Sequence, residues 1–319
     1  MKIVEIWKLY EASPMFCKDT TDKRRNAVKT IWSEFACVYW SKPIKSLTSD
    51  MIASWLCQRC RLCSNKTYNE YLRIIRQVLN AVLSKTGLHV NPANEVPVRR
   101  KDSISRKPYT MEQVEGILTA IDHGISIPYK YKTHGKVVEV MRPYTINNKE
   151  EVKLTIMLGA FCGMRLGDAV NVDKTMWDGE FLTYVPRKTQ DSSGKEVVVP
   201  ILDSRLREAL EACEGQLTPN LLRMHERQAS DLTRLYNRIF KACGLETQKD
   251  CVGRRNANVG GFHALRATFV TICAEKGVSI EVCRDLVGHT SCRTTEIYLS
   301  ISRKRKALEL SRIMQNSAS

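Results

Sequence analysis

The sequence predicts a mainly α protein with a small β-sheet, divided into two domains. Three observations carry that prediction. Apolar residues recur at three- and four-residue steps along most of the 319-residue chain. Residues 96–108 break the pattern with two prolines, two serines and a basic run. Only residues 181–185 and 196–201 read as a pair of β-rich runs, with the polar tip Gln190 to Lys195 between them. A chain this long can fill two cores, since domains usually run about 100–200 residues. The expected division is a helical domain over 1–98, a basic linker over 99–108, and a second domain over 109–319 that ends in a tail.

In the first domain, residues 22–40 place Ala27, Ile31, Phe35 and Val38 on one side and Lys23, Arg24, Arg25 and Lys29 on the other. Thr48 to Asp50 can cap a short helix carrying Ile52, Trp55 and Leu56. Ser64 or Asn65 can cap a longer one, from Tyr68 through Leu72, Ile75, Leu79 and Val82 to Gly87, a C′ glycine. Asn91-Pro92 then stops the pattern. The second domain opens on a capping box, Thr110-Met-Glu-Gln113, ahead of Val114, Ile117, Leu118 and Ile121. Residues 150–163 read as a buried helix that delivers Arg165 at or just beyond its end. From Asp203 the pattern is helical again, with an interruption near 250–261. Residues 123–148 hold Lys130, Lys132, Lys136 and Arg142 among tyrosines and valines, and the pattern assigns them no role.

Fifty Lys and Arg against 34 Asp and Glu give a formal net charge of +16. This points to a polyanion without saying which one. Twelve cysteines would mean a disulfide scaffold in a secreted chain, but the first residues lack the apolar run and cleavage site of a leader, so a reducing, cytoplasmic setting is expected. The longest strongly apolar stretch, residues 154–164, is far short of the ~20 residues of a membrane span. Cys57, Cys60 and Cys63 are the one cluster to weigh as a metal site. No fourth cysteine or histidine follows at a usual spacing, and on a helix the three drift along one face as small packing residues. No metal or other cofactor is expected.

The reactive chemistry is concentrated in a few short places. Cys162-Gly-Met-Arg165-Leu-Gly-Asp168 supplies one arginine, and His263-Ala-Leu-Arg266 supplies a histidine and a second arginine. Gly288-His289 adds a second histidine, and Tyr298 stands nine positions after it. A tyrosine oxygen is a nucleophile, guanidinium forks match phosphate oxygens, and histidines move protons; together they can open and reseal a phosphodiester without metal or ATP. Singly, each residue type would read as surface or packing. In this order and spacing they resemble the tyrosine recombinases, the family of bacteriophage integrases and Xer-type proteins.

That resemblance implies an N-terminal helical core-binding (SAM-like) domain and a C-terminal catalytic domain with the DNA breaking-rejoining fold. It implies Arg165 and Arg266 on the phosphate, Tyr298 as nucleophile, His263 assisting proton removal, and His289 donating a hydrogen bond to a phosphate oxygen or holding the arrangement. Asp168 would brace Arg165 by an i,i+3 contact, an N-cap role being the competing reading. Lys188, in Pro186-Arg-Lys-Thr-Gln190, matches the family lysine that protonates the leaving 5′-oxygen; Lys195, near the other end of the same hairpin, is the alternative. Ala267 stands where many members have a further histidine. The implied partner is double-stranded DNA, held by two basic domains and their linker as a clamp. Self-association would produce a tetramer on synapsed DNA, with residues 302–314 donated as a helical tail, and accessory DNA-bending proteins would assist. The implied activity is site-specific recombination or integration, as in phages and mobile elements. A type IB topoisomerase and a catalytically silent DNA-binding regulator of the same fold are the alternatives. Neither the DNA site nor the direction of reaction is legible.

Overall fold

The computed structural model describes residues 1–18, 21–100, 106–133, 136–190, 193–251 and 255–288. The chain splits into two compact units, one of Met1–Ser103 with Asp250–Asn256 and one of Ile104–Lys249 with Ala257–Ser319. The fold is mainly helical, with three separate two-stranded antiparallel sheets among the described residues.

The first unit holds α1 (Ile6–Glu11), α2 (Pro14–Lys18), α3 (Asp22–Val38), α4 (Ser49–Arg59) and α5 (Asn65–Thr86). Thr21, Thr48 and Ser64 each accept a backbone N–H of the first turn that would otherwise be orphaned. Gly87 closes α5 in the left-handed region at φ 68°. The buried stripe of α3 is Val28, Ile31, Trp32, Phe35 and Ala36, whereas Ala27 and Val38 are exposed. The stripe is turned from the expected one because the fully buried Trp32 sets which side faces the core.

The cysteine expectation is also corrected. Helix α4 stops at Arg59 with Cys60 as its C-cap, so Cys57, Cys60 and Cys63 share no helical face. Cys57 is exposed, Cys60 is buried and Cys63 lies between. Burial pushes the Cys60 thiol up to about 11, which suits packing and not ligation. Among the described residues no group of three or more His, Cys, Asp or Glu could hold a metal ion. No described helix is long and apolar enough to cross a membrane.

At the end of the first unit, Asn69 takes the Arg99 N–H at 2.8 Å and donates to the Arg99 carbonyl at 2.7 Å, while the Arg99 guanidinium lies 3.8 Å from the Tyr68 ring centroid. Asn65 donates to the Arg100 carbonyl. The basic run thus begins as an extended segment fastened to α5.

The second unit runs α6 (Met111–His123), β1 (Ile125–Thr133), β2 (Lys136–Tyr144), α7 (Lys149–Phe161), α8 (Leu166–Ala169), β3 (Phe181–Tyr184), β4 (Val197–Pro200), α9 (Ser204–Ala212), α10 (Pro219–Ala242), β5 (Gln248–Lys249), β6 (Ala257–Asn258), α11 (Phe262–Glu275) and α12 (Ile280–Leu286). The Thr110 capping box forms, and α6 buries all four of its expected apolar residues. Strands β3 and β4 pair in the register Phe181↔Pro200 to Tyr184↔Val197. The sheet is nevertheless not single: residues 125–144 form a long hairpin and 248–258 a short ladder, both unexpected. Helix α10 is interrupted at Gln228, whose φ of −161° and ψ of 101° are non-helical.

Helices α7 and α11 are the centre of this unit. Residues 155–160 of α7 are buried, and α11 buries Phe262 and seven consecutive residues from Ala264 to Val270. They cross closely at Gly159, where a Cβ would stand 3.0 Å from both Leu265 Cδ1 and Phe262 Cζ. Gly159→Leu is therefore expected to cost about 1–3 kcal/mol through overpacking, despite better helix propensity. A thermal melt at or above the wild-type midpoint would contradict this crossing.

Candidate active site

The site begins where α7 ends. The N–H groups of Cys162 and Met164 both bond the Leu158 carbonyl at 3.2 Å, and Gly163 between them takes φ +64°, a left-handed glycine that ends the helix. A Cβ on Gly163 would stand 2.6 Å from Phe269 Cδ1 and 2.8 Å from Val287 Cγ1, so strain and space both require glycine. The turn then releases Arg165 in an extended conformation as the N-cap of α8.

Asp168 lies in that short helix, 5% exposed. Its Oδ2 is 3.7 Å from Arg165 Nη1, an ion pair too long to be a hydrogen bond, and both atoms are buried without a hydrogen-bond partner among the described residues. Asp168 Oδ1 accepts the backbone N–H of Arg187 at 3.0 Å, and Arg187 Nη1 donates to Asn171 at 2.6 Å. The carboxylate thus joins the α8 turn to the turn after β3 that carries Lys188.

Arg266 is fully buried on α11. Its Nη1 donates to the Gly163 carbonyl at 2.7 Å and its Nη2 to the Val287 carbonyl. One guanidinium therefore ties the end of α7 to the end of α12, immediately before Gly288. Tyr184, on β3, is buried nearby with its hydroxyl lacking a hydrogen-bond partner among the described residues, within electrostatic reach of Arg266, Asp168 and Arg165. Burial pushes that phenol up, so it stays neutral.

His263 is in the first turn of α11, at a cleft of about 290 Å³ that is also lined by Arg106, Leu166, Asn237 and Asn258. Burial lowers its pKa to about 4, helped by the positive charges of Arg106, Arg266, Arg165 and Lys188. The imidazole is therefore neutral near pH 7. Arg106 Nη1 donates to the Gly260 carbonyl at 3.0 Å, and the Lys107 N–H bonds Val259 at 2.9 Å, fixing this segment against the start of α11. Tyr109 completes the seam by accepting the Gly261 N–H at 2.8 Å. Gly260 is sterically required, since a Cβ there would run into the Glu246 carbonyl and stand 2.8 Å from the Tyr109 hydroxyl.

Of the sequence-predicted residues, Arg165, Asp168, Lys188, His263 and Arg266 are brought into one electrostatic neighbourhood. His289 and Tyr298 lie outside the described residues, as does the 302–314 tail. Lys188 is exposed. Lys195 instead pairs with Asp285 of α12 at 3.1 Å, which ties it away from His263's neighbourhood. Sequence reasoning missed Arg106, Tyr184 and the Gly260-Gly261 pair. It also missed His225, whose Nε2 would be 3.5 Å from a Cβ on Gly167 and whose pKa is lowered by burial and by Arg187.

The profile of the phage integrase family matches residues 131–305. A tyrosine recombinase of Pseudothermotoga lettingae is 26% identical over 186 residues, 56% of this chain and 59% of that protein. The tyrosine recombinase XerD of Mycobacterium tuberculosis is 27% identical over 165 residues, 50% of each chain. The matched stretch thus spans only half to three-fifths of these relatives' length. A lambda integrase dimer bound to a COC′ core site superposes with TM-score 0.69 at 14% identity, over 94% of this chain and 77% of that one. The Tn1549 transposon integrase in complex with transposon right end DNA gives 0.67 at 14%, over 98% and 100%. At such identity the likeness is one of fold.

Two outcomes follow from the geometry. Arg266→Ala leaves the Gly163 and Val287 carbonyls without their charged donor, and is expected to destabilise the fold by about 3–5 kcal/mol in urea titration; a loss under 1 kcal/mol would contradict the clip. His263 binds its proton less well folded than unfolded (ordinary value 6.5), so the unfolded state takes up protons first as pH falls. Its stabilising contribution is present above pH 6.5 and lost towards pH 4, by at most about 3 kcal/mol. His263→Gln should flatten the melting temperature across that window, and an unchanged pH profile would refute the assignment.

Proposed function

Because the chain belongs to the phage integrase family, we propose that it cleaves and rejoins double-stranded DNA through a 3′-phosphotyrosyl link to Tyr298. The observation that carries this reading is the convergence of Arg106, Arg165, Arg266 and Lys188 on the neutral His263 beside an open cleft. Such a site has a surplus of positive charge and a buried arginine donor, Arg165 Nη1, with no hydrogen-bond partner among the described residues. A phosphodiester supplies the missing anion. The complexes of lambda integrase and Tn1549 integrase with DNA support the same partner.

In the proposed reaction, the Tyr298 oxygen attacks phosphorus, forming one P–O bond as the bond to the 5′-oxygen breaks. The phenol proton must leave, since about one free phenol in a thousand is ionised at neutral pH. His263 is neutral and able to take it. Arg165 stabilises the charge that builds on the non-bridging oxygens; Arg266, also expected on the phosphate, is fully buried with Nη1 and Nη2 on the Gly163 and Val287 carbonyls, and so holds the turn that presents Arg165. Lys188 gives its proton to the departing 5′-oxygen. Its turn is held by Asp168, whereas Lys195 is held by Asp285, and this supports Lys188 over Lys195. His289 donates a hydrogen bond to phosphate. Because one phosphodiester replaces another, resealing needs no ATP, and self-association as a tetramer on synapsed DNA would pair two such exchanges. That reaction is site-specific recombination.

Tyr298→Phe is expected to bind DNA yet form no covalent adduct on a nicked suicide substrate, read as a gel-shifted band. Trapping at the wild-type level would place the nucleophile elsewhere. Lys188→Ala is expected to be slow on ordinary DNA and rescued when sulfur replaces the 5′-bridging oxygen, a leaving group that needs no proton. Arg165→Ala should gain much less from sulfur, because its loss falls on the non-bridging oxygens. Rescue of Lys195→Ala alone would move the general acid to Lys195.

A further inference from the structure

The β1–β2 hairpin has no part in the proposed chemistry, and its construction is unusual for a sheet. Each strand has nine residues, paired from Ile125↔Tyr144 to Thr133↔Lys136. Isolated two-stranded ribbons are marginal in water, and this one is anchored only at its root. Ile125 is buried there, and Arg238 of α10 donates to the Tyr144 hydroxyl at 3.0 Å while covering its ring. Beyond the root, Tyr129, Val137 and Met141 are 45%, 60% and 62% exposed.

The exposed part is basic. The ribbon carries Lys130, Lys132, Lys136 and Arg142 against one carboxylate, Glu139, which pairs with Lys130 at 3.0 Å. Four cations against one anion leave a surplus of three. Lys132 and Lys136 make no ion pair with a described residue, and the Arg142 guanidinium lies flat at 4.1 Å from the Tyr129 centroid. Size also matters. At about 3.3 Å per residue, nine residues span about 30 Å, and two strands about 4.8 Å apart make a ribbon that fits a major groove about 12 Å wide. The anchoring residue Arg238 is next in sequence to Asn237, which lines the His263 cleft, so a duplex in that cleft would pass near the ribbon's root.

We propose that the β1–β2 ribbon is a second duplex-binding surface, which lies in the major groove next to the cleavage site with Lys130, Lys132, Lys136 and Arg142 on phosphates. It rests on the reading of the chain as an enzyme that acts on DNA. A second copy of this chain is the poorer occupant, because two molecules of net charge +16 would meet through basic ribbons.

The test is binding of the full-length protein to a labelled duplex of arbitrary sequence over a series of salt concentrations. Each phosphate contact contributes about 0.9 to the slope of log affinity against log salt. Lys130→Ala/Lys132→Ala/Lys136→Ala/Arg142→Ala should reduce that slope by about 3.6 and weaken binding at least tenfold at moderate salt, with an unchanged melting temperature. Tyr129→Ser/Val140→Ser, which leaves the charges in place, should keep most of the slope. If the fourfold variant misfolds, Lys132→Glu/Lys136→Glu at two exposed positions takes its place, with a slope reduced by about 2 expected. An unchanged slope in a folded variant of a protein that does bind would overturn the inference. So would sedimentation showing a DNA-free dimer dissolved by Tyr129→Ser/Val140→Ser, since the ribbon's partner would then be another copy. Failure of the parent protein to bind any duplex would instead overturn the DNA-cleaving reading itself.

Discussion

A single buried guanidinium organises the second unit. Arg266 has no solvent exposure, and burying a charge without partners costs several kcal/mol. Its guanidinium donates to the carbonyls of Gly163 and Val287, from two turns that share no strand or helix. The arrangement of three segments follows from satisfying it: the glycine turn that ends α7, the first turns of α11, and the end of α12. Gly163 is needed because its carbonyl must face Arg266 while its α-carbon packs within van der Waals reach of Phe269 and Val287. Arg165 leaves the same turn two residues later. The position of one arginine is therefore built on the hydrogen bonds of the other.

The charge around His263 is unbalanced. Arg165, Arg266, Arg106 and Lys188 all act on His263, while Asp168 is the one buried carboxylate beside Arg165. At 3.7 Å that pairing is incomplete, and a donor and an acceptor atom are left over. Each buried unsatisfied group costs about 1–3 kcal/mol. Stability is being given up at the place where a second anion would be most strongly held. A phosphate entering the cleft would offset the surplus and favour the protonated form of His263, whose neutrality rests on burial first and on the four positive charges second.

Much of this was legible because the reactive residues sit in short ordered motifs, and because capped amphipathic helices announce themselves by period. The Thr110 capping box and the Ser64 and Thr48 caps formed as their residue types require. Other features had no local signal. The contact of Arg106 with Gly260 spans 154 positions, so neither the arginine's place at the cleft nor the need for glycine could be read from neighbours. The β1–β2 ribbon was missed for a different reason. Strand patterns are recognised when one face is buried, and beyond its root this ribbon is exposed on both; Pro128 and Pro143 further weaken the strand signal. In α3 the period was right but its phase was wrong, because Trp32 outweighs Ala27 in choosing the core side. The cysteine trio failed as a helical face because α4 ends at Arg59.

In the proposed reaction the two hairpin lysines have separate parts, one in positioning and one in proton transfer. Lys195 is joined to Asp285 and so couples the strand side of the β3–β4 hairpin to α12, the helix whose last carbonyl Arg266 holds. Lys188 belongs to the opposite side of the tip, where Asp168 fixes the backbone at Arg187 and leaves the next side chain exposed. An ammonium that must deliver a proton has to reach the leaving oxygen and withdraw, which a paired lysine cannot do without breaking its ion pair. In the proposed reaction a fixed backbone under an exposed side chain meets both demands. Asp168 thus serves two turns at once: one oxygen faces Arg165, on which the phosphate would rest, and the other holds the turn from which its proton would come.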